Sequence, residues 1–431
     1  MKLVCRVNSE DTYSVEGSEL LNFFEKTQIH YSLFNTGDLR RLYKLNNFFN
    51  LSALDLYYLS LAVFFADRRK LRNKTRDAWT RSFEIYLPVL EFDKLESQRE
   101  LIENTISYLS GDNWTLHFRR RELSNKEKRI KKGVESARTK WTPKFISMMS
   151  GGLDSYIGAI DLLEKESEVI FVSHYGGGKG VKDYQDLVKS NLINSYEIDD
   201  SNFFSFHMAA LDGTEDSTRS RSFMFFMHAL IIASQIENNV EILIPENGLI
   251  SLNIPFTNSR LGSNSTRTTH PFYLSSLNNI ISNLDLKITL RNPYQFKTKG
   301  LMVYECSNQT LLKSTITSTM SCSHPDQGRY QGISKPIHCG TCLPCIIRRA
   351  SILKGYGTDP TEYLDSNFTG DKASFTLRSL KTGILDFENS KDFAFLKISN
   401  SGNLNGYQKL YTNTYTEGMT EVKYLLDQYA G

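Results

Sequence analysis

Between residues 144 and 290 short apolar runs alternate with stretches of helical spacing. KFISMM (144–149) is followed by a helical stretch 155–166, VIFVS (169–173), a polar helix 182–193 and a helix 219–236. VEILI (240–244), a helix 271–284 and LKITL (286–290) complete the series. Strands separated by helices cannot close as hairpins. They need crossover connections, and so predict a doubly wound parallel α/β sheet. In such sheets ligands bind beyond the carboxyl ends of the strands, so the residues after each strand are where chemistry is to be sought.

A chain of 431 residues has room for two or three domains. RSFEIYLPV (81–89), a helical stretch 95–109 and NWTLHFRR (113–120) predict a small N-terminal α+β domain over 1–140. The Leu-, Tyr- and Phe-rich stretch 51–66 reads as core or as a partner-binding surface. The basic run RRRELSNKEKRIKKGVESARTK (119–140) marks the boundary, as a solvated linker or as a patch for an acidic partner or nucleic acid. The α/β domain then spans 141–366 and a C-terminal extension 367–431.

A net charge of +3, from 51 basic and 48 acidic residues, is too balanced to imply a nucleic-acid or membrane partner by itself. The longest apolar stretch, 223–234, is shorter than the ~20 residues that span a bilayer and predicts a buried helix. MKLVCRVNSEDTYSVEG has no long apolar region before a small-residue cleavage site, so no signal peptide, no membrane partner and a cytoplasmic location are expected.

Directly after the first strand of the α/β series stand Ser150, Gly151, Gly152, Leu153, Asp154 and Ser155, leading into a helix. Two glycines let the backbone approach an anion, the helix start offers unpaired N–H groups, and two hydroxyls add donors. This predicts a phosphate cradle. It is not a Walker loop, since no Gly-Lys-Ser/Thr closes it, nor the spaced-glycine dinucleotide fingerprint. The run 176–180 (GGGKG) reads as a nucleotide wrap or a surface turn.

Of six cysteines, Cys5 and Cys306 stand alone, whereas Cys322, Cys339, Cys342 and Cys345 fall close together. Two-residue gaps form knuckles that aim sulfurs at one ion, which predicts a closed, structural Zn²⁺ site, with an iron–sulfur cluster as the other option.

SGGLDS resembles the signature of the PP-loop ATP pyrophosphatases. That implies an adenine nucleotide alpha hydrolase-like fold, with ATP and Mg²⁺ as cofactors and the adenine beside Val172, Ser173, His174 and Tyr175. The four cysteines, Arg348 and Arg349 on the helix after them, and Gly357-Thr358-Asp359-Pro360-Thr361-Glu362-Tyr363 are similar to the C-terminal signature of the 7-cyano-7-deazaguanine synthases, the QueC family. Arg221 resembles the first residue of that family's arginine-led helix, and PYQFKTK (293–299) its Pro..Thr-Lys segment. The resemblance implies catalytic roles for Asp154, Ser155, Lys299 and Arg221, ATP contacts from Ser150 to Ser155 together with Ser173 and His174, and zinc on Cys322, Cys339, Cys342 and Cys345. It covers about residues 143–365.

Two stretches depart from the family. The insert SHPDQGRYQGISKPIH between Cys322 and Cys339 is longer than usual, and the loop 246–270 lacks the usual aspartate and Tyr-Pro-Asp pattern. That loop offers Glu246, Asn247, Arg260 and Arg267 at the sheet end; Glu246, Asn247 and Arg260 are the expected substrate contacts. The resemblance implies ATP-dependent adenylation of the carboxylate of 7-carboxy-7-deazaguanine. The extra N- and C-terminal parts are similar to QueC-like proteins of bacterial anti-phage operons, the QatC type, which implies a partner protein encoded nearby whose amine receives the acyl group. Nitrile synthesis from ammonia, tRNA modification and a non-catalytic scaffold are the competing expectations.

Overall fold

The computed structural model describes the chain apart from residues 26, 32, 34–40, 46, 138–140, 177, 178, 218, 256–266, 430 and 431 and the side chains of Lys179 and Lys372. In the N-terminal part, β1 (Lys2–Arg6), β2 (Ser18–Asn22) and β3 (Ile29–Tyr31) precede a long helix, α1 (Leu51–Arg69). Then come β4 (Ser82–Val89), α2 (Phe92–Ser97), α3 (Arg99–Ser110), β5 (Asn113–Arg120) and α4 (Asn125–Glu135). Four of these strands form a sheet of order β2-β1-β4-β5. Where an α+β unit is expected from sequence, every pairing in this sheet is parallel. The reason is the crossover: α2 and α3 return the chain from the end of β4 to the start of β5, as a parallel pair requires.

The second sheet is built from β6 (Phe145–Met148), α5 (Leu153–Leu163), β7 (Val169–Tyr175), α6 (Lys179–Tyr196), β8 (Phe203–Ala210), α7 (Arg221–Ala233) and β9 (Val240–Leu243). The chain continues through α8 (Gly248–Leu252), α9 (Pro271–Asn283) and β10 (Ile288–Arg291). Its order is β10-β9-β6-β7-β8-β3. Five strands are parallel; β3 adds from the N-terminal part and runs antiparallel to β8. The parallel α/β architecture expected from the alternation is therefore present. The expected strands and helices between 144 and 290 match to within a few residues; sequence reasoning missed β8 and the short helix α8, which falls in the stretch read as a loop.

Helices α1 and α7 pack on each other between the two sheets. Almost every residue of α1 is buried, polar ones included, so apolar residues surround it and no one-sided periodicity survives. The same holds for FMFFMHALIIA of α7. One apolar core runs from Leu3 through both helices to Leu290. The stretch 51–66 is thus core.

Most of the basic run is structured. Arg119, Arg120 and Arg121 pair with Asp11, Asp93 and Glu127, and Ser124 and Glu127 close a capping box on α4. These arginines are neutralised within the chain.

After β10 come α10 (Lys299–Glu305), α11 (Gln309–Thr315) and α12 (Leu343–Tyr356), then α13 (Asp371–Asn389), α14 (Ala394–Ser399) and α15 (Gln408–Asp427). The last three form a helical cap whose α15 packs on α8, α10 and α12. Among the described residues, no helix is long and apolar enough to cross a membrane.

Candidate functional site

β6 ends at Met148, and the chain turns through Ser150 and Gly151 into α5. Gly151 has φ of 83°, in the left-handed region, and a Cβ there would lie 3.0 Å from Gln185 Cγ, so glycine suits the position on two counts. The turn is locked from several sides. The Ser150 and Ser155 hydroxyls lie 3.1 Å apart, and Ser150 Oγ accepts the Gly152 N–H at 3.3 Å. Gln185 Nε2, from α6, donates to the carbonyls of Ser150 and His174 at 3.3 and 3.0 Å. Gln185 thereby ties the turn to the end of β7. No motif marked this residue, because its partners are main-chain atoms.

Asp154 sits in the first turn of α5, nearly buried. Its Oδ2 accepts the Asn247 main-chain N–H at 3.1 Å and side-chain Nδ2 at 2.6 Å, and its Oδ1 faces Lys299 Nζ at 3.0 Å. Lys299, the first residue of α10, is itself buried. Residues from 154, 247 and 299 thus converge at the carboxyl ends of β6, β9 and β10. Asn247, expected as a substrate contact, spends its side chain on Asp154 and on capping α8, where its Oδ1 accepts the Ile250 N–H.

Beside the turn opens a cavity of about 390 Å³. Its polar lining includes Ser150, Ser155, Arg219, Arg221, Glu246 and Thr269. Arg221 is exposed within it and has no carboxylate partner among the described residues. An unpaired cation of this kind in a concave site favours an anion. The Trp79 ring lies 4.3 Å from the Arg219 guanidinium, so the N-terminal part packs behind one of the residues that line the cavity.

Glu246 accepts a hydrogen bond from the Thr269 hydroxyl. Thr269 in turn bonds Ser251 at 2.8 Å, and Asn292 holds the Glu246 main chain from both sides. Desolvation pushes the Glu246 carboxyl up to about 7; the Thr269 bond opposes this, the Asp154 charge adds to it and Lys299 opposes it. Between its ordinary value of 4.5 and about 7 the carboxyl is protonated when folded and ionised when unfolded. This contribution to stability is therefore present below pH 4.5 and lost as pH rises through about 7. Burial raises Asp55 into the same range, so the comparison must be differential. The unfolding midpoint of the wild type should fall relative to that of Glu246→Gln across this window, and a difference independent of pH would refute it.

Ser173 and His174 lie apart from this cavity. Ser173 donates to the Phe204 carbonyl at 3.4 Å. His174 is stacked on His228, which is stacked on Phe206, and burial holds both imidazoles well below their ordinary pKa, hence neutral. Arg260 lies outside the described residues, as do Gly177 and Gly178 of the glycine run. Arg267 leans on the Tyr108 ring at 4.4 Å and donates to its carbonyl.

The four sulfurs of Cys322, Cys339, Cys342 and Cys345 all lie within 4.8 Å of one another. Two of the separations are 3.9 Å, close to the ~3.8 Å edge of a tetrahedron with ~2.3 Å zinc–sulfur bonds. Main-chain N–H groups of His324 and Cys339 donate to Cys322 Sγ, and that of Cys342 to Cys339 Sγ, as suits thiolates. The group can hold a metal ion such as zinc, and with four sulfurs the shell is closed to water. His338 is occupied elsewhere, its Nε2 accepting the Ser321 N–H. The longer insert is absorbed by a 3₁₀ turn, Gln327–Gln331.

The cysteine loop touches the glycine turn directly. Met320 N–H donates to the Gly151 carbonyl at 2.8 Å, and Ser321 Oγ accepts the Leu153 N–H at 3.5 Å. Arg348, fully buried, donates to Ile316, Thr319 and Thr361, and Arg349 to Gly340, Ser366 and Tyr429. Both arginines act as internal braces of the loop.

No model of a known protein family matches the chain. No curated protein matches it either. What the site can do therefore rests on its own residues: a glycine turn at a helix start, a buried Asp154–Lys299 pair, and a cavity with a protonatable carboxyl and Arg221, which has no carboxylate partner among the described residues.

Proposed function

We propose that the chain is an ATP-dependent carbon–nitrogen ligase with a PP-loop fold. In this reading it adenylates the carboxylate of 7-carboxy-7-deazaguanine and passes the acyl group to an amine on a partner protein in anti-phage defence. The observation that supports it is the Ser150–Ser155 turn at the start of α5 with the buried Asp154–Lys299 pair next to it. Such a turn with a lysine nearby suits a triphosphate. The substrate and the biological setting come from the resemblance of SGGLDS, the four cysteines and GTDPTEY.

A carboxylate oxygen attacks the α-phosphorus, the bond to pyrophosphate breaks, and an acyl adenylate forms. The amine nitrogen then attacks the carbonyl carbon, AMP leaves, and the nitrogen loses a proton. The N–H groups at the start of α5, the Ser150 and Ser155 hydroxyls and Lys299 would take the charge that develops on pyrophosphate. Arg221 would hold the α-phosphate or the substrate carboxylate. Bound Mg²⁺ would neutralise phosphate charge; Asp154 is the carboxylate suited to it, its Oδ1 lacking an aligned hydrogen bond. Glu246, protonated or ionised near neutrality, would meet a polar edge of the substrate. Arg119 and Arg121 are spent on Asp11 and Glu127 within the chain, so these two add nothing to an RNA-binding surface.

The test is incubation with ATP, Mg²⁺, 7-carboxy-7-deazaguanine and either ammonia or a partner protein, with AMP, pyrophosphate and products read by mass spectrometry. AMP release that requires the deazaguanine is expected, and Lys299→Ala should lower its rate at least ~100-fold. A nitrile product would replace the protein acceptor by ammonia. Absence of carboxylate-dependent AMP with either acceptor would overturn the proposal.

A further inference from the structure

Lys299 is held from behind by the C-terminal helical cap. Glu421, on α15, is nearly buried beneath the first turn of α10. One carboxylate oxygen accepts from the Thr298 hydroxyl. The other accepts the Gly300 N–H at 3.2 Å and the Ser351 hydroxyl at 3.5 Å. Thr298 meanwhile caps α10 by accepting the Leu301 N–H at 3.1 Å. The residues on both sides of Lys299 are thus bound to one carboxylate. The approach is close: a Cβ on Gly300 would come within 2.4 Å of Glu421 Oε1, so glycine at 300 is what lets the carboxylate reach the main chain.

We infer that Glu421 is a positioning residue for the phosphate site: by gripping Thr298 and Gly300 it fixes the main chain of Lys299 and aims the ammonium at Asp154 and at the phosphates. The inference rests on the nucleotide-binding reading of the Ser150–Ser155 turn for its last clause only. It gives the 367–431 segment a role at the site, although none of its residues lines the cavity.

The test uses the full chain as wild type, Glu421→Ala, Glu421→Gln and, as a control, Leu425→Ala, which removes a buried apolar side chain of the same helix. Two readouts are taken: acylation of Lys299 by an amine-reactive ester, followed by mass spectrometry, and affinity for a non-hydrolysable ATP analogue. Glu421→Ala should raise Lys299 acylation and weaken the analogue roughly 10-fold, the factor expected for a lost hydrogen bond to a buried charged group. Glu421→Gln should recover part of both, and Leu425→Ala should lower the unfolding midpoint while leaving both near wild type. Unchanged Lys299 acylation in Glu421→Ala, or an equal rise in Leu425→Ala, would overturn the inference. If the wild type binds no analogue, the nucleotide reading falls, and the acylation readout alone decides the positioning role.

Discussion

Asp112→Ala should cost about 3–5 kcal/mol, a large part of the ~5–15 kcal/mol that holds a typical folded chain. Asp112 is fully buried and binds two guanidinium groups. Arg72 meets it with two parallel bonds of 2.9 and 2.8 Å, and Arg81 reaches it at 2.7 Å while also pairing with Asp67. Both arginines are buried or nearly so. With two acids against two bases the cluster is neutral overall, and its remaining donors reach the carbonyls of Asp67, Lys70, Trp79 and Ser110 and the Ser217 hydroxyl. Removing one carboxylate leaves excess positive charge in the interior with no water to solvate it. The measurement is the urea midpoint and slope. Asp112→Asn, which keeps the shape but not the charge, should fall between wild type and alanine. A loss under ~1 kcal/mol for alanine would mean that water reaches the cluster.

The cluster also bears on the site. Asp67 accepts both the N–H and the hydroxyl of Ser220, at 2.9 and 2.6 Å, and Ser220 immediately precedes Arg221. Glu215, a few residues upstream, accepts the Arg72 N–H at 2.9 Å. The N-terminal part therefore anchors the segment that delivers Arg219 and Arg221 to the cavity, and the cost of Asp112→Ala should be felt first there. Hydrogen exchange across 213–221 reads this directly.

Cys345→Ser should remove the metal and loosen the glycine turn with it. Purified wild type is expected to carry about one metal equivalent per chain; zinc leaves the protein colourless, whereas an iron–sulfur cluster would absorb visible light. Four-thiolate zinc contributes about 10–16 kcal/mol of binding in isolated peptides, and that energy is folding energy for the loop it closes. In this chain the loop is also braced by Arg348 and Arg349, so loss should be local. Faster hydrogen exchange is expected over 319–345 and, through the Met320–Gly151 and Ser321–Leu153 bonds, over 150–153. Full metal content in Cys345→Ser, or metal loss with unchanged exchange at 150–153, would refute the coupling.

Much of the site could be read before any coordinates. The parallel α/β series, the turn Ser150–Ser155 and the four-cysteine group all depend on residues close together in the chain, and such spacing leaves a visible pattern. Strand-to-helix alternation survives because β6, β7 and β9 are largely apolar, as strands covered on both faces are. Other elements escaped for physical reasons. In α1 burial on every side erases the periodicity that marks a surface helix. The parallel pairing of the N-terminal sheet depends on crossovers that periodicity does not orient. The β8 strand, FFSFHMAA, by contrast does alternate, with Phe204, Phe206 and Met208 buried, and was legible but passed over.

The residues that hold the site in place were decided by tertiary structure alone. Asp67 reaches Ser220 across 153 residues and Glu421 reaches Thr298 across 123, and Gln185 grips carbonyls that any side chain could have faced. A single buried acid or amide carries no signature, since its role is set by which distant groups the packed core brings within hydrogen-bonding distance. The local chemistry of the turn, the cysteines and the strands was written in the order of residues. The aim of Lys299, Arg221 and Asp154 came from long-range contacts, whose geometry exists only once the core has closed.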